Sequence, residues 1–426
     1  MFTNRTRCLR LYQLISLLIA IGLMANSLPA HADVLSLEEA EQLAIQGDPM
    51  LGNIDATAQA LDEAAIADGQ LPDPKAKVSL FNFPTDTFDR KQEPMAQLRF
   101  GVQQAIPRGD TLELRNQRTR VQAGGERARV ADETRKLRRD VRANWYETFY
   151  WRRAERIVAA NKRLFSEMLD ITESQYAAGR RNQQDVLRAD LELGLLEDRL
   201  TDIRQKQETA RAALAKWLGA DAQRELPDDI PRLPEPPSLA RLQASLPQHP
   251  ALRIQQAHID TNRKNVSLAR EAYKPAWTVG IDYGARNGNN MDGSERADLL
   301  AATVTFDLPI FTNKRQDRRL AAAQHREGAA RLQYDDRLRA MQSQLEKEYV
   351  TWQRLSQRLQ RYRQTLIGQA TANSEASLLA YQNDATDFPT LMRAKITELE
   401  THLKAMRIHV DAAKAQARLL YLAGEE

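Results

Sequence analysis

The sequence predicts a mainly α-helical protein with a small β part. We expect a long, coiled-coil-like α-helical barrel plus four transmembrane β-strands per chain, closing as a 12-stranded barrel in a trimer. Gly and Pro number only 18 and 17 among 426 residues, so turns are sparse and elements long. Apolar residues recur every three or four positions along extended segments, whereas four short segments alternate with period two. A mean hydropathy of -0.57 excludes a polytopic helical membrane protein.

The N-terminus has the features of a secretory signal peptide. Arg5, Arg7 and Arg10 precede an apolar run from Leu11 to Leu28, and Ala30-His31-Ala32 forms a small-x-small cleavage site. We therefore predict a signal peptide at residues 1–32, with an uncleaved membrane anchor as the alternative.

Charge and motif content exclude several classes of function. Without residues 1–32 the chain has 58 basic and 57 acidic residues, so nucleic acid is not an expected partner. The single cysteine, Cys8, lies in the predicted signal peptide, which excludes a disulfide in the mature chain. The sequence contains no phosphate-binding, hydrolytic or redox motif, so we expect no cofactor and no enzymatic activity.

Landmarks recur along the chain at a spacing of roughly 200 residues, which predicts two structural repeats. The dipeptide Ile106-Pro107 corresponds to Leu308-Pro309. The segment YAAGRRNQQDVLRA, which begins at Tyr176, corresponds to YQNDATDFPTLMRA, which begins at Tyr381.

The predicted boundaries follow from these landmarks. The first repeat covers residues 33–226, a Pro-rich linker covers 227–247, and the second repeat covers 248–426. In the first repeat we predict strands at about 76–83 and 95–106 and helices at about 108–178 and 184–218. In the second we predict strands at about 276–285 and 298–308 and helices at about 313–382 and 387–423.

The long helices have the clearest periodicity. After Met341 the apolar positions advance by three or four residues and keep to one stripe, which includes Leu345, Tyr349 and Trp352. The corresponding helix of the first repeat has about 65 residues and would extend ~100 Å. Such a helix cannot form a compact core, so we expect side-by-side packing in a bundle or wall.

Each period-two segment has one polar and one apolar face. Leu98 and Phe100 alternate with Arg99, and the polar faces of the second pair include Asp282 and Asp307. This pattern predicts lipid on the apolar side and a barrel lumen lined by Arg99, Asp282 and Asp307. Two soluble hairpins with one face on a core are the alternative. Four strands in a bilayer would leave two unpaired edges, so a trimer with about twelve strands is the simplest closure.

The sequence resembles the TolC family of outer-membrane efflux channels over essentially the whole mature chain. The resemblance rests on the duplicated halves, the paired strands, the long helices and the Y-x-x-G-(x)5-D-V-L-x-A motif from Tyr176 to Ala189. It implies a homotrimer in the cell outer membrane, in contact with outer-membrane lipid, with its helical part in the periplasm. It also implies two partners, a periplasmic adaptor (membrane fusion) protein and an inner-membrane pump of the resistance-nodulation-division type.

In that family, turns at the helical tips gate the tunnel. The resemblance places Asp185 and Tyr381 at the positions of an Asp and a Tyr that bond to each other, and Thr386 at the position of their Arg partner. We therefore expect a restraint between Asp185 and Tyr381. The alternatives are that Asp185 only caps the returning helix and that Tyr381 is an ordinary packing residue.

The family's ring of acidic gate residues is altered here. Its positions are Thr390 and Arg393, so we expect Asp384, at the position of a glycine, and Asp387 to substitute for it. The adaptor is expected to contact both turns, at Gly179, Arg180, Arg181, Asn182, Asn383 and Phe388.

Two further features concern the cargo. Residues 71–109 resemble the branch of the family that serves heavy-metal-cation exporters, which favours copper, silver, zinc or related cations over organic toxicants. His402, Met406 and His409 share one face of the last helix, a geometry suitable for a soft metal. A wet helix surface is the alternative for these three residues.

Other functions remain open at this point. A multidrug or type I protein-secretion channel of the same family would have the same elements. A periplasmic adaptor would need one helical hairpin flanked by β-rich soluble domains, whereas this chain predicts two hairpin-length helical units.

Overall fold

The computed structural model describes residues 34–424. The predicted signal peptide at 1–32 lies outside the described residues. Nine α-helices occur in the described range: α1 (Leu37–Gly47), α2 (Pro49–Asp68), α3 (Thr111–Ala177), α4 (Gln183–Leu218), α5 (Leu239–Ser245), α6 (Pro250–Glu271), α7 (Gln316–Arg361), α8 (Ile367–Gln382) and α9 (Phe388–Ala423). The strands are β1 (Lys75–Phe81), β2 (Gln97–Ile106), β3 (Trp277–Arg286) and β4 (Leu299–Phe306). The predicted class, mainly helical with four strands, is confirmed.

Short irregular elements complete the helical part. A π-helical turn at Tyr362–Leu366 joins α7 to α8, and 3₁₀ turns lie at Gly219–Gln223 and Leu246–Gln248. Among residues 34–424, none of the helices combines the length and the apolar character that crossing a bilayer requires.

The four strands form one antiparallel sheet in the order β1-β2-β3-β4. β2 pairs with β3 over ten residues, from Gln97 opposite Arg286 to Ile106 opposite Trp277. The two predicted strand pairs are therefore one continuous sheet. Within the described residues, β1 and β4 each have one edge with no strand beside it.

The described chain consists of two compact units. The first contains residues 34–47, Asp140–Leu233 and Leu355–Lys414. The second contains Asp48–Arg139, Pro234–Arg354 and the residues from Ala415 onward. Each unit takes segments from both predicted repeats. The helix-joining turns belong to the first unit and the sheet belongs to the second.

Aromatic residues of α3 organise the core of the first unit. Trp145 and Phe149 are buried and stacked, with ring centroids 5.6 Å apart. Trp145 Nε1 donates to the carbonyl oxygen of Leu35 at 3.2 Å, and the Tyr146 hydroxyl donates to that of Pro231 at 3.0 Å. Because these bonds satisfy polar groups that burial would otherwise leave unpaired, they fix the segments that precede α1 and follow α4.

A charge cluster joins α3 to α9 within the same unit. Arg407 Nη1 and Lys414 Nζ each lie 2.8 Å from a carboxylate oxygen of Glu147. Burial alone would raise the pKa of Glu147, but the hydrogen bonds and charges of Arg407 and Lys414 outweigh it and lower that pKa. The helices are therefore joined by ion pairs as well as by apolar contacts.

The second unit has its own apolar core, which includes Met341 and Leu345 of the predicted stripe. A polar network lies against it. His249 Nδ1 accepts from the Ala251 amide at 3.2 Å, and Nε2 lies 2.9 Å from the Tyr421 carbonyl oxygen. These partners assign the neutral ring with its proton on Nε2. The Tyr421 hydroxyl donates to Asp132 Oδ1 at 3.0 Å, so the network attaches the end of α9 to α3 and α6.

Burial makes this network sensitive to acid. Burial lowers the pKa of His249 below its usual 6.5, so the unfolded chain takes up a proton that the folded chain resists. Stability is therefore complete above pH 6.5 and decreases as the pH falls through that value. We predict a melting temperature about 1–2 °C lower at pH 5.5 than at pH 7.5 for the purified protein. His249→Asn, which keeps a helix-capping acceptor, should reduce the difference.

A second histidine contributes to the same loss. Burial and the charge of Arg363 lower the pKa of the half-buried His409 to about 4, so its contribution to stability also decreases as the pH falls below 6.5 and continues to decrease down to about pH 4. His409→Gln should therefore reduce the difference as well, and the double variant His249→Asn/His409→Gln should reduce it further than either single change. Equal pH dependence in wild type and His249→Asn would contradict the assignment to His249.

Candidate functional site

The two turns that join paired helices have the same backbone geometry. After α3, Gly179 has a φ of +69°, and the next amide donates to the Gln175 carbonyl at 2.9 Å. After α8, Asp384 has a φ of +53°, and the next amide donates to the Ala380 carbonyl at 2.8 Å. A left-handed residue thus ends each helix, and Asp384 occupies in the second turn the place that Gly179 occupies in the first.

Arg181 connects the two turns. Its Nη2 donates to Asp384 Oδ1 at 2.7 Å, and its guanidinium carbon lies 4.5 Å from the centroid of the Tyr381 ring. Its Nε donates to Gln175 Oε1 at 3.1 Å. The Arg181 side chain is only 17% exposed, whereas that of Asp384 is 85% exposed. Arg181 therefore lies between the turns, where it binds both of them.

Tyr381 is buried beneath this link. Its side chain is 6% exposed, its hydroxyl donates to Gln175 Oε1 at 3.2 Å, and its ring meets Phe388 edge-on at 5.8 Å. Burial raises the pKa of Tyr381, so its hydroxyl remains a neutral donor. These contacts therefore fit the alternative in which Tyr381 is an ordinary packing residue.

The expected hydrogen bond between Asp185 and Tyr381 does not occur in the described chain, because Gln175 accepts the phenolic proton instead. Asp185 lies in the first turn of α4, half-buried. A carboxylate there interacts favourably with the helix dipole. The geometry thus favours the alternative in which Asp185 stabilises the start of the returning helix.

The carboxylates expected to form an acidic ring already have partners. Asp384 binds Arg181, and Asp387 Oδ1 accepts from the Thr390 amide at 2.9 Å, as a cap for α9. Hydrogen bonds from the side chain and the amide of Thr390 lower the pKa of Asp387. Arg393 Nη2 donates to Thr390 Oγ1 at 3.4 Å. The second turn is therefore a connected polar cluster rather than a set of free acids.

One of the residues predicted to contact the adaptor is buried in the structure. Phe388 is 1% exposed, because the first residue of α9 inserts its ring against Tyr381. It stabilises the turn and is not available to a partner protein. Thr386 is half-exposed between the two acids. The remaining predicted contacts are exposed, apart from the partly buried Arg181: Gly179, Arg180, Asn182 and Asn383.

One face of the sheet is apolar and exposed. The strand register places alternate residues on this face. Its large apolar side chains are 40 to 76% exposed: Val78, Leu80, Phe100, Val102, Ile106, Trp277, Val279, Ile281, Tyr283, Leu300, Val304 and Phe306. No described element covers them, so the alternative of soluble hairpins packed on a core does not fit. An apolar patch of this size marks an interaction surface.

The opposite face of the sheet is polar. Arg99 donates through Nε to Gln97 Oε1 at 3.0 Å, and its guanidinium lies over the Phe81 ring. Asp282 lies opposite Gly101, where a side chain would overlap its carboxylate. Arg99 and Asp282 therefore share the predicted face, and glycine leaves room for the acid.

Asp307 has a different position from the other two predicted lumen residues. It follows the last residue of β4, and its Oδ2 accepts from Arg108 Nη2 at 2.7 Å. This ion pair joins the end of β4 to the segment between β2 and α3. The Asp307 carboxylate thus has a structural partner at the end of the sheet.

A guanidinium lies against one of the candidate metal ligands on α9. Arg363 Nη2 lies 3.0 Å from His409 Nδ1, and a guanidinium in that position repels a metal cation. Throughout residues 34–424, no group of three His, Cys, Asp or Glu is arranged to hold a metal ion. His409 is also half-buried, so neither the metal hypothesis nor the wet-surface alternative describes it.

Gln175 and the inward position of Arg181 were not predicted. Gln175 directly precedes the first tip motif and Arg181 lies within it, but their partners in the second turn lie more than 200 residues away. Only the proximity of the two turns in the fold reveals the contact.

Comparisons with known proteins agree with this architecture. Residues 242–378 match the family model described as "Outer membrane efflux protein". That range extends from α5 into α8 and includes β3 and β4. No curated protein matches the chain.

Solved structures share the fold at low sequence identity. The outer-membrane channel OprN matches with a TM-score of 0.75 and 17% identity, over 92% of this chain and 90% of that one. The Campylobacter jejuni CmeC outer membrane channel gives 0.76 and 13%, over 91% and 85%. The open state of the Neisseria gonorrhoeae MtrE outer membrane channel gives 0.70 and 15%, over 91% and 89%.

The contacts of Arg181 lead to a prediction about the turns. Arg181→Ala removes the ion pair with Asp384 and the stacking on Tyr381, so both turns should open more often. We expect backbone amides in residues 175–185 and 380–390 to exchange about two- to fivefold faster, as suits an ion pair whose acid is exposed to solvent. Hydrogen exchange with mass spectrometry measures this. Arg180→Ala removes a neighbouring exposed arginine and should leave exchange unchanged. Faster exchange in Asp185→Ala than in Arg181→Ala would support the Asp185 restraint instead.

Proposed function

We propose that this chain is the outer-membrane channel component of a tripartite efflux system, a passive trimeric conduit and not an enzyme. The observation that carries the proposal is the four-stranded sheet, which has an exposed apolar face and two unpaired edges. In a bilayer such edges are too costly to persist, because no water is present to bond the free backbone groups. Three copies pairing β1 of one chain with β4 of the next give about twelve strands and no edge.

The dimensions of the sheet suit a membrane. β2 and β3 have ten residues each, close to the 9–11 of a tilted transmembrane strand. Aromatic residues lie at both ends of the apolar face, Trp277 and Phe306 at one end and Phe100 and Tyr283 at the other. The separation of Trp277 and Tyr283 along β3 is ~20 Å, comparable to the apolar band of about 25 Å in known barrels. The polar face, with Arg99 and Asp282, would line the lumen.

The helical part supports a conduit across the periplasm. α3 has 67 residues and α7 has 46, and a shared fold with three outer membrane channels accompanies the family match over 242–378. A conduit of this kind supplies no driving force. We therefore assign the energy to an inner-membrane pump, of the resistance-nodulation-division type, and the connection to a periplasmic adaptor protein.

The turns provide a mechanism for opening. We assign the closed state to the link of Arg181 with Asp384 and Tyr381, which holds the two turns together. An adaptor that binds the exposed residues Arg180 and Asn383 more tightly when the turns are apart would shift the equilibrium towards the open state. Substrate would then diffuse along the lumen.

Single-channel recording tests both the conduit and its closure. Purified protein in planar bilayers should form pores of low open probability, because the link at the turns persists without an adaptor. Arg181→Ala should raise the open probability up to about fivefold, the factor expected from losing an ion pair worth up to ~1 kcal/mol.

Matched variants make the experiment specific. Arg180→Ala removes the same charge without a link and should behave as wild type, and Asp185→Ala should have a smaller effect than Arg181→Ala. Protein that inserts but conducts no current in any variant would refute the conduit. Equal currents in wild type and Arg181→Ala would leave the conduit and refute the gate.

The identity of the cargo is a separate proposal, which rests on the sequence. The resemblance of residues 71–109 to the branch serving heavy-metal-cation exporters supports copper, silver, zinc or related cations. A deletion strain, with and without the cloned gene, should then show growth defects on those metal salts and normal growth on dyes and detergents. Sensitivity confined to organic compounds would instead indicate a multidrug channel. Loss of a secreted protein without either phenotype would indicate a type I secretion channel.

A further inference from the structure

The two connections from strand to long helix differ in length and chemistry. After Pro107 the chain reaches α3 through Arg108, Gly109 and Asp110, whereas after Pro309 it reaches α7 through the six residues of 310–315. The longer connection, with the first turn of α7, carries two exposed apolar residues and four basic residues. We call residues 308–319 the collar segment.

In sequence, the apolar part of the collar segment directly follows β4, which belongs to the sheet with the exposed apolar face. Phe306, the last residue of β4, lies 5.1 Å from Trp277 between ring centroids. Beyond it, Leu308, Ile310 and Phe311 are 66%, 68% and 83% exposed. Phe311 is thus among the most exposed aromatic side chains of the described chain, five residues after the end of β4.

The basic part follows at once. Lys314 and Arg315 precede α7, and Arg318 and Arg319 lie in its first turn, all of them exposed. Cations at the start of a helix are disfavoured by the helix dipole, typically by 0.3–1 kcal/mol each. The first turn of α7 also contains one acid, Asp317, as that of α3 contains Glu113. Negative charge outside the helix would offset the cost of the remaining cations.

Acidic groups nearby are already occupied. The Tyr273 hydroxyl donates to Asp317 Oδ1 at 2.6 Å, Asp307 is paired with Arg108, and Lys274 Nζ lies 2.7 Å from Glu271 Oε2. Within residues 34–424, the four basic residues of the collar segment form no ion pair: Lys314, Arg315, Arg318 and Arg319.

We propose that the collar segment binds anionic phospholipid headgroups at the inner leaflet of the outer membrane. Ile310 and Phe311 enter the leaflet at the end of the apolar face, and the four cations lie at the depth of the phosphates. Arg and Lys are suited to phosphate oxygens, and aromatic residues beside cations are typical of a membrane interface. The inference rests on the proposed function, since it requires the sheet to lie in the membrane.

Trp277 provides an intrinsic probe for the test. It is the one tryptophan of five that lies in a strand, and it contacts Phe306 next to the collar segment. Quenching of its fluorescence by brominated phosphatidylglycerol and brominated phosphatidylcholine in mixed vesicles gives their relative association constants. Trp277→Phe protein supplies the background signal of the other four tryptophans.

We expect a preference of about fivefold or more for phosphatidylglycerol in wild type. The variant with Lys314, Arg315, Arg318 and Arg319 all changed to Gln should reduce the ratio to about one. The matched control changes four exposed basic residues farther along α7 to Gln and should keep the wild-type ratio: Arg339, Lys347, Arg358 and Arg361. In wild type, 0.5 M salt should also reduce the preference, because screening weakens exposed charge interactions.

The outcomes separate the two proposals. Quenching by both lipids with no preference in wild type would overturn the collar proposal and leave the membrane-embedded sheet, with a neighbouring chain or the adaptor as the partner of the collar segment. A preference that survives the substitutions within the collar segment would overturn it as well. No quenching of Trp277 by either lipid would refute the lipid-facing sheet and the proposed function with it.

Discussion

The unpaired backbone edges of the sheet are the constraint on which the rest of the structure depends. β1 and β4 each leave one edge open, while the face between them is apolar and exposed. In water such a sheet would aggregate, and in lipid its open edges would cost several kcal/mol per free group. Self-association through these edges satisfies both requirements at once. The open edges and the exposed apolar face are therefore the features on which the proposed trimer depends.

The side chains that differ between the two helix-joining turns determine the chemistry of the turns. The two turns share one hydrogen-bond pattern, yet they carry different side chains. By the correspondence of Tyr176 with Tyr381, the counterpart of Arg181 is Thr386 and the counterpart of Asp384 is Gly179. The Arg181–Asp384 link consequently has no equivalent made from the corresponding residues of the opposite turns. An assembly that alternates the two hairpins would have strong and weak contacts between turns, and the weak ones would separate first.

Sequence patterns predicted the features that depend on local periodicity. The alternation around Arg99 and Asp282 gave the faces of the sheet, and the stripe through Met341 and Leu345 gave buried positions. What failed depended on distant contacts. Phe388 was predicted to contact the adaptor because nothing local shows the Tyr381 ring against it, and Gln175 carried no signal because its partner is 206 residues away. The pairing of β2 with β3, between the halves, was equally invisible to local patterns.

The charged residues of the long helices differ from those of the collar segment in their partners. Charged residues on the long helices commonly have partners within the chain, as Glu147 has in Arg407 and Lys414. The four exposed cations of the collar segment have no ion pair within the described residues, and what distinguishes them is that the exposed Phe311 precedes them directly in sequence. In the first half, the corresponding connection from strand to helix has three residues, and an ion pair between Arg108 and Asp307 stabilises it. Three residues therefore suffice to connect strand to helix, so the six residues of the second half exceed what the linkage itself requires, which agrees with the lipid contact proposed for the collar segment.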